Sequence, residues 1–93
     1  MTIGILRLSL FIHDSCSLKE KRMVLHSITA RLRNNFNVAV SQIKDEDKWR
    51  KTTLAVVGVE KNRNNMNSIL SHIVNFIEGL NTVDLIDYEM ELI

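Results

Sequence analysis

The hydrophobic period of this chain changes from two residues to about 3.6 and back, twice, between Ile3 and Ile93, and few folds accept that alternation in so short a length. Positions 3–12 place Leu6, Leu8, Leu10 and Ile12 in one phase and Ile5, Arg7, Ser9 and Phe11 in the other, the pattern of a strand with one wholly apolar face. Ser17 followed by Glu20 three residues on makes a capping box, in which the serine oxygen satisfies an orphan N–H and the glutamate reaches back to the cap. A helix is therefore predicted from Leu18 to about Asn34-Asn35. Leu18, Leu25, Ile28, Leu32 and Phe36 fall on its apolar stripe. Lys21 falls between Ile28 and Leu32 on the wheel, which predicts a partly buried stem with the ammonium snorkelling into water.

The second half repeats the sequence of periods. Asn37 to Ile43 reads as a strand, 44–51 as a charged connection, and Thr52 to Val59 as a β-branched strand, together a hairpin with a charged tip. From Arg63 to Leu80 apolar residues recur at spacings of three and four, with Gly79 and Asn81 offering an exit. Val83 to Ile93 alternates again, with Ile86, Tyr88, Met90 and Leu92 in one phase and Asp87, Glu89 and Glu91 in the other. The order βαββαβ is two split βαβ units, whose right-handed crossovers put both helices on one face of an antiparallel sheet of order 4-1-3-2. The expected class is an α+β ferredoxin-like fold. With no proline and no linker, residues 1–93 are expected to form one domain.

A chain that is 45% hydrophobic and 25% charged has the balance of an ordinary globular domain, which disfavours disorder and coiled coil. The one cysteine, Cys16, excludes an intramolecular disulfide and a multi-cysteine metal site, and suits a reducing cytoplasm. The start, Met1-Thr2-Ile3-Gly4-Ile5-Leu6-Arg7, lacks the basic, then apolar, pattern of a leader, and no apolar run nears the roughly 18 residues of a membrane span. The expectation is a cytoplasmic protein. The formal charge of +1 hides an asymmetry: residues 1–51 carry ten Lys/Arg against five Asp/Glu, and residues 52–93 carry two against six. Such a split marks either a basic surface for nucleic acid or simply two solvated faces.

Fold alone does not choose among functions, so each chemistry must find its own residues. Phosphate chemistry wants a glycine-rich loop, and His13-Asp14-Ser15-Cys16-Ser17 has no glycine, although Lys19 and Lys21 stand at the helix start. His13-x-x-Cys16 offers at most two of the usual four soft-metal ligands. Cys16 with His13 as base lacks a third orienting group, and His26 and His72 read as surface residues. No enzyme, cofactor or metal is expected, and an activity through Cys16 or the helix-one N-terminus ranks third.

For RNA, the third strand carries no aromatic platform and the acids of the fourth strand repel phosphate, leaving the sheet face unsuited. Lys19, Arg22, His26 and Arg33 instead form a basic stripe on the first helix. With Lys48, Trp49, Arg50 and Lys51 at the hairpin tip it could hold RNA backbone and stack a base, against the plainer reading of a solvated flank and a packed tryptophan. RNA or a ribosome is the leading expected partner. The second reading is a homodimer, because the third strand is apolar in both phases and Ile5, Phe11 and Leu85 add to the outer face, where Arg7 opposite an acid such as Glu89 would set the register.

Ser17-Leu18-Lys19-Glu20-Lys21-Arg22, after a strand reading Gly4-x-Leu6-Arg7-Leu8-x-Leu10-x-Ile12, resembles the opening of the bacterial YlxP-like family. The resemblance continues through Phe36-Asn37-Val38 and Asp47-x-Trp49 to the acidic last strand, with departures at His13-Asp14, Ala39 and Gln42. That family is largely of unknown function and its genes often lie beside those for a translation initiation factor and a ribosome-binding factor. The resemblance implies a place in translation or ribosome maturation and carries over no catalytic residue.

Overall fold

A computed structural model describes residues 1–13, 17–44 and 50–93 in full and the backbone alone of 45–46. The elements are β1 (Thr2–Ile12), α1 (Leu18–Asn35), β2 (Val38–Glu46), β3 (Lys51–Glu60), α2 (Arg63–Glu78) and β4 (Val83–Leu92). They build one antiparallel sheet of order β2-β3-β1-β4, the expected order seen from the other edge, with the helices on one side. This is the ferredoxin-like arrangement.

The inner phase of β1, Leu6, Leu8, Leu10 and Ile12, is wholly buried, and β3 adds Leu54 and Val56 beside it. Leu25, Ile28 and Leu32 come down from α1, and Met66, Leu70, Ile73, Val74 and Ile77 from α2. Each such side chain contributes roughly 1.5–3 kcal/mol by leaving water. Gly4 and Gly58 face each other across β1 and β3 beneath Met66, and a Cβ on Gly4 would lie 2.6 Å from Met66 Cγ. Two facing glycines thus let the first turn of α2 lie close on the sheet.

The capping box is formed: Ser17 Oγ accepts from the Glu20 N–H at 3.2 Å, and the Ser17 N–H donates to Glu20 Oε1 at 3.4 Å. In α2, Asn62 Oδ1 accepts from the Asn65 N–H at 2.9 Å. That helix ends at Glu78, two residues earlier than the periodicity suggested, and Gly79 caps it in the right-handed region, so glycine's left-handed freedom is not used.

Three sequence expectations need correction. Leu18 is 57% exposed and Lys21 only 1%, so the buried stripe runs Lys21, Leu25, Ile28, Leu32 at spacings of four, three and four, and Lys21 does not snorkel. Secondly, β2 and β3 extend to Glu46 and Lys51, into the segment read as connection. A bulge at Ile43 makes this possible, because the buried Thr52 hydroxyl donates to the Lys44 carbonyl at 3.0 Å and accepts from Gln42 Nε2 at 2.7 Å. Thirdly, β4 slips by one residue against β1 between Ser9 and Leu10, so Leu85 pairs with Leu10 on the core side and Ile86 is the extra, exposed residue. Leu85 is therefore not part of the outer face.

The Thr52 hydroxyl holds one bulge together, so Thr52→Val, nearly equal in volume, should lower stability by about 1–3 kcal/mol, the cost of stranding buried polar groups. Urea melts of the pair measure this, and coincident midpoints would show that the hydroxyl does not hold the bulge.

Candidate nucleic-acid interface and open sheet face

Two surfaces hold the residues singled out by sequence, and the sheet separates them. On the helical side, Lys19, Arg22 and His26 are exposed at successive turns of α1. Lys19 and Arg22 have no ion-pair partner among the described residues. Arg33, further along the stripe, has its guanidinium fixed: it donates to the Val40 carbonyl of the outermost strand at 2.7 Å. Arg31, on the opposite flank, lies over the Phe76 ring at 4.8 Å. Between α1 and β2 runs a groove of about 380 Å³, walled by Arg22, His26, Thr29 and Gln42, with Leu25 and Leu54 at its base. Thr29 and Gln42 were not legible as site residues, because neither carries a charge and the groove exists only once β2 lies beside the helix.

The hairpin does not join this stripe as a single patch. Lys51 pairs with Phe11, in the phase that points away from the helices. Arg50, with φ of 56°, donates to the His13 carbonyl at 3.2 Å, while its own carbonyl accepts from the Ile12 N–H. Lys48 and Trp49 lie outside the described residues, as does Cys16. His13, weighed as a base for Cys16, has Nε2 3.2 Å from Asp84 Oδ1 of β4.

The other surface is the outer sheet face. Ile5, Arg7, Ser9 and Phe11 project there from β1, beside Ala55, Val57 and Val59 of β3, the last two 38% and 48% exposed. Arg7 stands opposite Glu89, as expected, with its guanidinium 3.8 Å from Glu89 and 3.9 Å from Glu91. Both bulges fall at one level, next to the Ser9 and Thr53 pair, where a shallow depression of about 310 Å³ is lined by Ser9, Thr53, Lys44, Lys51, Ile86 and Asp87. Among the described residues no cluster of three or more His, Cys, Asp or Glu could hold a metal ion. Among the same described residues no helix is long and apolar enough to cross a membrane.

A four-stranded antiparallel sheet with both helices on one side defines a ferredoxin-like α+β domain, and here its salient surfaces are a basic helix flank and a bare sheet face. The chain belongs to the family described as protein of unknown function, DUF503, whose model matches residues 3–90. It is 34% identical over 82 residues to the uncharacterized protein YlxP of Bacillus subtilis (strain 168), covering 88% of this chain and 89% of that one, in line with the resemblance read from Ser17 to Arg22. Among solved structures it is similar to a structural-genomics protein, YJCS, at 11% identity and a TM-score of 0.65, covering 96% of each chain. It also resembles SnoaB, a cofactor-independent oxygenase from Streptomyces nogalater, at 11% identity and a TM-score of 0.53, over 99% of this chain and 90% of that one. Identities so low speak for the fold alone.

Proposed function

We propose that this protein is a non-enzymatic accessory factor that binds RNA, on its own or in a ribosomal particle, through the exposed side of α1. One observation carries the reading: the exposed charged side chains of α1 are Lys19, Arg22, Arg31 and Arg33 against Glu20 alone, and Glu20 is tied into the helix cap. Lys19, Arg22 and Arg33 share one flank, where cations attract a phosphate backbone and release its counterions, and the Arg33 guanidinium, already fixed on the Val40 carbonyl, loses little freedom on contact. The groove beside β2 adds Gln42 as a donor and acceptor for a sugar or base edge. The resemblance to a family whose genes neighbour translation factors agrees with this. Lys48 and Trp49 remain candidate contacts, the ring by stacking; Arg50 and Lys51 are secondary, one bonded to His13 and the other facing outward.

The test is co-sedimentation with ribosomal subunits and filter binding to structured RNA, over a range of salt. In the double variant Lys19→Glu, Arg22→Glu, association should be lost or the log–log salt slope should fall by roughly 1.4–1.8 units, since each phosphate contact accounts for about 0.7–0.9. Arg33 is left intact because its bond to Val40 would confuse folding with binding. Unchanged binding in the double variant, or no salt-sensitive binding by the parent, overturns the proposal.

A further inference from the structure

We propose that a second copy of this chain covers the outer sheet face, related to the first by a two-fold axis that runs parallel to the strands. This does not depend on the RNA reading, since α1 lies on the opposite side of the sheet.

The starting point is what the central strands present to water. Val57 and Val59 of β3 are 38% and 48% exposed, and they lie level with the half-buried Ile5 and Ile3 of β1. A sheet that needs to bury one face places polar residues on the other, yet in the two inner strands Ile3, Ile5, Phe11, Ala55, Val57 and Val59 face outward beside Arg7, Ser9, Lys51 and Thr53. The area also suffices: strands of about ten residues at ~3.3 Å each, four abreast at ~4.8 Å, give on the order of 600 Å² of plane per copy, near the ~800 Å² of accessible surface per partner in a standard interface.

Charge then selects the geometry. Two sheets packed face to face about a two-fold axis must have that axis in the plane between them. An axis across the strands would lay β4 on β4, setting Asp87, Glu89 and Glu91 against the same acids of the second copy. An axis along the strands lays β2 on β4 and β3 on β1 while keeping every row level, and the pairing registers say what meets. Lys44 is level with Thr53, Ser9 and Asp87 in a single row, so each Lys44 would face Asp87 of the other copy. In the next rows Ala55 would face Arg7 and Val57 would face Ile5, small side chains of β3 against long ones of β1. Aligned sheet packing within about 30° is the common solution for two faces of this kind.

The test is sedimentation equilibrium of the full chain in reducing buffer, which keeps Cys16 from cross-linking copies. The parent should be a dimer at micromolar concentration, and Val57→Glu, with unchanged circular dichroism, should raise the dissociation constant about 100-fold or more, as for a central interface residue. If that variant misfolds, Ile5→Thr with Val57→Thr keeps β-branched residues and should weaken the dimer in the same direction. Lys44→Glu should weaken it as well, and adding Asp87→Lys should restore it. A parent that stays monomeric into the millimolar range, a dimer indifferent to the changes at position 57, or failure of the Lys44→Glu, Asp87→Lys pair to recover association overturns the arrangement.

Discussion

Replacing Lys21 by alanine is expected to cost roughly 2–5 kcal/mol, the range seen when a long buried side chain is cut back to a methyl group. A lysine in the first turn of a helix would ordinarily be a surface residue, and an exposed substitution there would change stability by a few tenths of a kcal/mol. Here Lys21 is 1% exposed and occupies the first position of the stripe that continues with Leu25, Ile28 and Leu32. Its four-carbon stem fills the place that an apolar residue would take, and its ammonium is not left without a partner. Lys21→Met keeps the volume and loses the polar interaction, so it should recover a large part of what alanine loses. Lys19→Ala, two residues away and exposed, is the control. Guanidinium melts that give the same midpoint for Lys21→Ala and Lys19→Ala would show that the side chain is not packed as described.

Gly4→Val should destabilise by about 1–3 kcal/mol through overpacking, although valine is the better strand former by intrinsic preference. The first added atom already meets Met66 Cγ at 2.6 Å, Met66 Sδ at 2.9 Å and Leu70 Cδ1 at 3.0 Å. Met66 is wholly buried and cannot swing into solvent, so the strain must be taken up by moving the start of α2 away from the sheet. The same substitution in a Met66→Ala background should cost distinctly less, because the cavity left by the methionine accepts the branched side chain. Strictly additive effects in that double-mutant cycle would mean that close approach of the helix is not why position 4 is glycine.

Most of the fold was legible because it depends on period and on handedness, both local or nearly so. The alternation of Leu6 to Ile12, the Ser17 and Glu20 box and the α2 repeat fixed the order of elements, and connection rules then set the strand order. The errors are matters of phase, at Leu18, Lys21 and Leu85, and of element ends, where β2 runs on to Glu46 and α2 stops at Glu78. Leu18 and Lys21 compete for the same stripe, and hydropathy favours the leucine, whereas the geometry of the first turn puts Leu18 outside and lets an amphipathic stem serve inside. Leu85 and Ile86 sit in opposite phases of an unbroken strand, and nothing in the sequence marks the slip that turns Leu85 inward. The helix-flank cations were readable from the wheel, but their partners were not. That Arg33 would meet a main-chain carbonyl of β2 depends on where the outermost strand lies, a tertiary fact.

The two bulges, one in each outer strand and both beside the row of Ser9 and Thr53, bear on how far such a sheet can grow. An outer strand invites another chain to add to it when its free N–H and C=O groups run straight and unobstructed. Ile43 and Ile86 break that line on the two sides, and on β2 the Arg33 guanidinium also occupies the Val40 carbonyl. Lateral addition, which has no natural end and leads toward fibres, is thereby discouraged, whereas the two-fold pairing proposed for the bare face would fill that face with one partner. The same irregularities that obscured the register thus act against open-ended growth at either edge of the sheet.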